Sequence, residues 1–474
     1  MLRSTAMYSS SFAALLALLS WPVPVGAENW PQWRGPKNNG ISNETKLAVQ
    51  FGPEKSVAWR LHLPGPAGST PVIWNDRIFL TSAEDSDLLA ICVRTDGKEL
   101  WRRKLATGNH TVGFGGAEGN LSSPSPCTDG EHVWFFFGTG TLACFDFDGN
   151  EKWNINLQER YGPFDLQFGM HSTPVLDEQR LFLQVIHGPM RGDSEPAYVV
   201  ALDKATGKEI WKQDRKTGAT VECKHSYASP ILYDDGKLKF LLTHGGDYIV
   251  AHRLSDGQEI WRHGGMNPPK DFSAAQASHQ PDAPARASAS TELCEPPSPP
   301  EAAQGQRRNT SGYNATLRFV ASPVAVPGLI VVPSAKKGNV LGLRPDIQGD
   351  ATNNKDAKVW TLPRGTPDVP SPLVHDGLVY LVSEDGVLMC LDAKTGETYY
   401  HERMHAARHR ASPIYADGHL YVAAFDGHVT VVKAGKKFEI VAQTEMKDPI
   451  TASPAVSNGT LYVRSFESLW AFRK

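Results

Sequence analysis

Several signatures that would name a function are missing from this chain. Charge of one sign is not in excess: 48 Lys and Arg against 51 Asp and Glu leave a formal net charge of −3 over 474 residues. That excludes the broad basic field on which nucleic-acid binding rests. Beyond the first residues no stretch is long and apolar enough to cross a bilayer as a helix. The six cysteines, Cys92, Cys127, Cys144, Cys223, Cys294 and Cys390, include no adjacent pair and no CxxC. Their even number permits disulfides in an oxidising compartment without showing any. Cys92, Cys144 and Cys390 stand at repeat positions that elsewhere hold Ala or Leu, so small buried core residues are expected there. No GxSxG, HExxH or phosphate-loop pattern occurs. Asp146-Phe-Asp-Gly-Asn150 opens like a calcium loop, but Leu157 stands where the twelfth-position Glu is needed.

What is present begins with an export pattern. Arg3 supplies a positive start, Phe12 to Leu19 a short apolar core, and Val25-Gly26-Ala27 a small-residue cleavage site. The expectation is a signal peptide over 1–27 and a mature protein that is periplasmic or secreted. No Cys near the cleavage point suggests a lipid anchor.

From residue 57 onward the chain repeats. Eight Ser-Pro or Thr-Pro pairs each open a short apolar strand: Thr70-Pro71, Ser123-Pro124, Thr173-Pro174, Ser229-Pro230, Ser322-Pro323, Ser371-Pro372, Ser412-Pro413 and Ser453-Pro454. Between them run short strands ended by turn signals such as Asp417-Gly418 and Asp426-Gly427. Forty-two glycines and 34 prolines serve these turns. A period of roughly 40–55 residues with four short strands per unit is the pattern of a β-propeller.

A second mark recurs within each unit. Turns such as Thr95-Asp-Gly-Lys-Glu-Leu-Trp101 and Ala201-Leu-Asp-Lys-Ala-Thr-Gly-Lys-Glu-Ile-Trp211 place a Trp four residues after a Gly. Trp59, Trp101, Trp153, Trp211, Trp261 and Trp360 fill this slot and are expected to wedge between blades. The last unit runs out after three strands, whereas Val57–Leu63 is a fourth-type strand with no unit before it. Closure of the last blade by the N-terminal strand would pair both open edges. The expected fold is therefore all-β: an eight-bladed β-propeller over 57–474, made of four-stranded antiparallel blades, after an extension over 28–56. One interval breaks the rhythm. Residues 273–311, rich in Ala, Ser, Pro, Gln and Arg, cannot bury enough apolar surface to offset their ordering entropy and are expected to be a disordered insertion.

Ring geometry makes the loops before each first strand converge on one channel mouth. Residues three to five before each proline there are Asn120, His171, His225, Arg318, Asp368, His409, Arg410 and Thr451. Such a mixed polar ring can bind a small ligand or peptide, can hold a metal through its His and Asp, or is a hydrated channel mouth.

The tryptophan turns and Ser/Thr-Pro strands resemble the pyrroloquinoline-quinone-like repeat propellers, whose tryptophan-docking motif is similar to Ala201 to Trp211. Trp30-Pro-Gln-Trp-Arg-Gly-Pro36 is similar to the start of many exported bacterial members. The resemblance implies one of two activities. Some members are alcohol dehydrogenases that hold the quinone and a calcium ion in the central funnel, usually with a vicinal disulfide. Others bind proteins in outer-membrane assembly and carry no cofactor. The chain lacks the adjacent cysteines and any stretch matching the calcium or catalytic motifs. The expectation is a binding or scaffold module for an exported protein partner or a small polar ligand, without catalysis, cofactor or nucleic acid. A quinone-dependent oxidoreductase or a ligand sensor is the alternative.

Overall fold

In a computed structural model, residues 28–108, 120–190, 196–267, 317–336 and 338–474 are described. The expected signal segment, the insertion at 273–311 and Cys294 lie outside them. Eight antiparallel sheets follow one another around a ring. Blade 1 is typical, with strands Val72–Trp74, Arg77–Glu84, Asp87–Arg94 and Glu99–Thr107 in sequential order, A to D. Strands B and C are buried on both faces, and D, outermost, alternates. Blade 8 takes its outer strand from the other end of the chain: Val57–His62 pairs antiparallel with Ser468–Phe472. No helix among the described residues is long and apolar enough to cross a membrane.

The Ser/Thr-Pro repeat has a physical reason. The backbone N–H of each Ser or Thr donates to the hydroxyl of its counterpart in the next blade. Thr70 donates to Ser125, Ser125 to Thr173, Thr173 to Ser229, Ser229 to Ser322, Ser322 to Ser371, Ser371 to Ser412 and Ser412 to Ser453, over 2.8–3.2 Å. The strand edge facing the channel has no further strand to pair with, so the hydroxyls accept amides that would otherwise be buried and bare. The eighth joint is made differently. The Thr70 hydroxyl finds no partner, and the buried Arg464 guanidinium of blade 8 donates instead to Ser69 and to the Thr81 carbonyl of blade 1.

This ring corrects the register of blade 2. Ser123-Pro-Ser-Pro126 contains two Ser-Pro pairs. Ser125, not Ser123, accepts the Thr70 amide, and strand A starts two residues later at Cys127 as in the other blades. Ser125→Ala is expected to cost about 1–3 kcal/mol by leaving that amide unsatisfied. Ser123→Ala should stay within about 0.5 kcal/mol, as measured by urea unfolding. Equal costs would show that the ring does not carry the joint.

The tryptophans lie between blades. The indole N–H of Trp59 donates to Thr95 O, Trp101 to Phe147 O, Trp153 to Lys204 O, Trp211 to Leu254 O and Trp360 to Ala393 O, at 2.8–3.0 Å. Each ring covers the C–D turn of the next blade. At Gly207, with φ +68°, an added Cβ would lie 2.8 Å from the Trp153 ring, so the turn accepts only glycine beneath the indole. Trp261 differs: it is fully buried, yet its indole nitrogen has no acceptor. Blade 5 has a longer C–D connection, 344–357, from which Gly349–Asp350 adds to blade 4 as a fifth, parallel strand beside Trp261.

The cysteines Cys92, Cys127, Cys144, Cys223 and Cys390 are free and buried, and burial pushes the thiols of Cys92, Cys144 and Cys390 up to about 12. The calcium-like segment is an ordinary turn in which Asp146 accepts the Asn150 amide and pairs with Lys152 at 2.8 Å.

Candidate functional site: the blind mouth of the channel

The N-terminal extension shapes the site. Trp30 exchanges backbone hydrogen bonds with Ile73 in strand A of blade 1, and Pro31 O accepts from Thr128 in strand A of blade 2. Gly40 O then accepts from Tyr415 in strand A of blade 7. The segment therefore crosses the channel beneath the hydroxyl ring, and Trp33 comes to line the cavity above it. The result is a pocket of about 390 Å³ rather than an open channel. That volume suits a small ligand or one protein side chain.

One sequence position lines the pocket in every blade: the residue two before the ring Ser or Thr. These are Gly68, Ser123, His171, Tyr227, Val320, Val369, Arg410 and Thr451. Farther out, Phe168, Arg318 and Arg408 complete the wall. Of the eight residues expected from sequence, His171, Arg318, Arg410 and Thr451 therefore line the pocket.

The other four expectations are corrected. In the extended segment leading into strand A, alternate side chains point to opposite sides. Asn120, Asp368 and His409 stand at odd offsets from their ring hydroxyls and point away. Asn120 is fully buried and donates to Pro66 O, its apparent place in the mouth being a consequence of the misread blade 2 register. His409 is buried, with Nδ1 on Ala407 O. Asp368 is buried beside Lys336 at 3.3 Å. His225 stands at an even offset, but its Nε2 lies 2.8 Å from Gly188 O, which holds the ring under a neighbouring loop. The three histidines thus do not meet as a metal set. His171 Nε2 lies 2.9 Å from Phe168 O, and burial lowers its pKa, which keeps the ring neutral near pH 7.

The charge at the mouth is organised around acids set back from the pocket. Arg318 pairs with Glu222 at 3.0 Å and stacks 4.7 Å over the Phe168 ring. Arg410 lies 3.2 Å and Arg408 3.5 Å from Glu384, which also binds Lys336 at 2.5 Å. Burial works against the Glu384 charge, but the Lys336 hydrogen bond and charge, a hydrogen bond from Asp368 and the Arg408 charge outweigh it and hold the carboxyl below its usual range. Burial raises the neighbouring Asp368. Three guanidinium groups and the aromatic faces of Trp33, Phe168 and Tyr227 thus border one cavity.

A calcium-bound quinone needs carboxylate or amide oxygens on the funnel wall. Among the described residues that line the pocket there is no Asp, Glu, Asn or Gln. The donor set is hydroxyl, guanidinium and imidazole, which does not fit that ion.

A family model described as outer membrane protein assembly factor BamB matches residues 42–163, 91–281 and 349–437. The polyvinylalcohol dehydrogenase of Sphingopyxis sp. (strain 113P3) is 26% identical over 205 residues, which is 40% of this chain but only 29% of the dehydrogenase. Among solved structures, BamB from Moraxella catarrhalis superposes with a TM-score of 0.57 at 14% identity, covering 88% of this chain and 99% of its own. The quinohemoprotein alcohol dehydrogenase from Comamonas testosteroni superposes at 0.64 and 12% identity, over 94% of this chain and 80% of its own. At these identities the superpositions speak to fold alone. The family match, together with eight blades joined by docked tryptophans, supports one conclusion: the chain belongs to the pyrroloquinoline-quinone-like repeat β-propellers of the outer membrane protein assembly factor BamB family.

Proposed function

We propose that this protein is an exported recognition module whose blind channel mouth receives an anionic group, either a small carboxylate or an acidic side chain of a partner protein. The observation that carries the reading is the convergence of Arg318, Arg408 and Arg410 with Trp33, Phe168 and Tyr227 around one cavity. Guanidinium forks match carboxylate oxygens two at a time, and aromatic faces hold a flat or apolar remainder. Membership of a family described by an assembly factor, and eight sets of loops on a rigid frame, favour binding over chemistry. The only pocket imidazole among the described residues, His171, spends its Nε2 on a backbone carbonyl.

A panel of mono-, di- and tricarboxylates, pyrroloquinoline quinone with calcium among them, would be screened by thermal shift and calorimetry, beside a pull-down from the native envelope fraction. Arg318→Ala and Arg410→Ala are each expected to weaken the best ligand about tenfold or more, from the loss of a charged hydrogen bond. Ligands that bind equally well to both variants would sink the reading. Stoichiometric quinone absorbance with dye-linked alcohol oxidation would replace it by the oxidoreductase alternative, which the dehydrogenase relative keeps open.

A further inference from the structure

Two histidines and an aspartate meet at the rim of blade 7, outside the pocket and with no part in the reading above. Asp426 and His428 flank Gly427 in the turn between strands His419–Ala423 and His428–Lys433. His405 arrives from the loop after strand Thr398–Arg403 of blade 6. Their positions are held by backbone contacts. The neighbouring Met404 amide donates to Gly386 O at 2.9 Å. At Gly427, with φ +91°, an added Cβ would lie 2.7 Å from Asp448 O, so the turn has no room to shift in that direction. Asp426 Oδ1 accepts the His428 amide, which leaves Oδ2 facing both imidazoles. Oδ2 lies 2.7 Å from His405 Nε2 and 3.2 Å from His428 Nδ1. The two rings lie 4.1 Å apart at their centroids. His428 Nδ1 is shut off from solvent and has no hydrogen-bond partner of normal geometry.

Three donor atoms of metal-ligating type, all within 4.8 Å of one another, thus face one point. Tetrahedral coordination at about 2.0–2.2 Å places donors roughly 3.3 Å apart. The carboxylate–imidazole distances of 2.7 and 3.2 Å therefore need to open by about half an ångström or less, while the two imidazole nitrogens, within 4.8 Å of each other, close by a rotation of one ring. We propose that His405, Asp426 and His428 bind one divalent transition-metal ion of the zinc class. Two imidazoles and one carboxylate suit zinc, nickel, copper or cobalt rather than calcium or magnesium, which prefer oxygen donors alone. With three protein ligands, and the side chains 21–40% exposed, the ion keeps at least one position open to water. The ion would also staple the loop that carries Arg408 and Arg410 to blade 7, behind the mouth.

The test uses the full chain, free of any affinity tag and stripped with a chelator. It would be titrated with cobalt(II) chloride, followed by visible absorption, and with zinc chloride, followed by calorimetry. One cobalt per chain is expected, with ligand-field bands in the visible and a dissociation constant below about 10 µM, together with a rise in melting temperature on adding zinc. His405→Ala and His428→Ala should abolish the bands, while His401→Ala, on the exposed strand of blade 6, should keep them. If either alanine variant fails to fold, Asp426→Asn keeps the shape and should weaken cobalt about tenfold or more. Absence of saturable cobalt and zinc binding by the unaltered chain overturns the proposal. Unchanged binding by a folded Asp426→Asn chain, or by a folded His405→Ala or His428→Ala chain, overturns it too.

Discussion

Lowering the pH from 7.5 to 4.5 is expected to strip this propeller of several kcal/mol of stability, and histidines are the cause. Burial holds the His244 pKa down to about 3 and that of His252 to about 4. His171, His187, His225, His263, His375 and His409 are also lowered, again chiefly by burial. The environments explain this. His244 is fully buried and lies edge-on to the Phe319 ring at 4.9 Å. His252 is satisfied as a neutral ring, with Nδ1 2.9 Å from Gly257 O and Nε2 3.0 Å from the Thr243 hydroxyl, which accepts from buried Arg215. The unfolded chain protonates these rings near pH 6.5, whereas the folded chain does not. The unfolded state therefore binds more protons at every pH below that value, and stability falls as pH falls. For His244 and His252 the loss at pH 4.5 is about 2–3 kcal/mol each, and it ends only below their folded values. Melting temperatures recorded between pH 7.5 and 4.5 should drop steeply, and His244→Phe should flatten the curve. A melting temperature independent of pH over that range would refute the account.

Trp211→Ala is expected to cost about 3–5 kcal/mol, from the cavity left by a buried indole between blades 3 and 4. The indole also closes over Gly257, whose Cβ position lies 2.4 Å from the ring, and donates to Leu254 O at 2.9 Å. Paired phenylalanine substitutions separate these contributions. Trp211→Phe gives up both part of the packing and the indole hydrogen bond to Leu254 O, a carbonyl that also accepts from the Arg180 guanidinium. Trp261→Phe gives up packing alone, since the Trp261 indole nitrogen has no acceptor. The first should therefore cost about 1 kcal/mol more than the second in urea unfolding. A larger loss at Trp261 would mean that the indole bonds to the turns contribute nothing to blade docking.

Much of the architecture was legible because each blade carries its own marks. The Ser/Thr-Pro pair marks the inner strand, the glycine turn and Trp mark the outer one, and the missing outer strand of the last unit is supplied by Val57–His62. The register slipped only where two Ser-Pro pairs stand in tandem, at Ser123 and Ser125, and the hydrogen bond from Thr70 decides between them. The site was half legible. A window of three to five residues before each proline mixes side chains that point into the channel with those that point away. Counting back two residues from each ring hydroxyl selects Gly68, Ser123, His171, Tyr227, Val320, Val369, Arg410 and Thr451 without error. Alternation in extended backbone is the signal that finds them.

By itself the sequence determined what is repeated: blade number, strand order, the docked tryptophans and the N-terminal closure. Those features come from local periodicity, turn chemistry and the need to pair edge strands, and each blade states them again. Tertiary structure alone decided what is not repeated. It laid Trp30–Ile41 across the channel and so made a blind pocket. It drew His225 away from the mouth onto Gly188, closed the last joint through Arg464, and brought His405 beside Asp426 and His428. These contacts join segments from different blades, or from opposite ends of the chain. Their partners are chosen by ring closure and packing, for which a period along the sequence holds no mark.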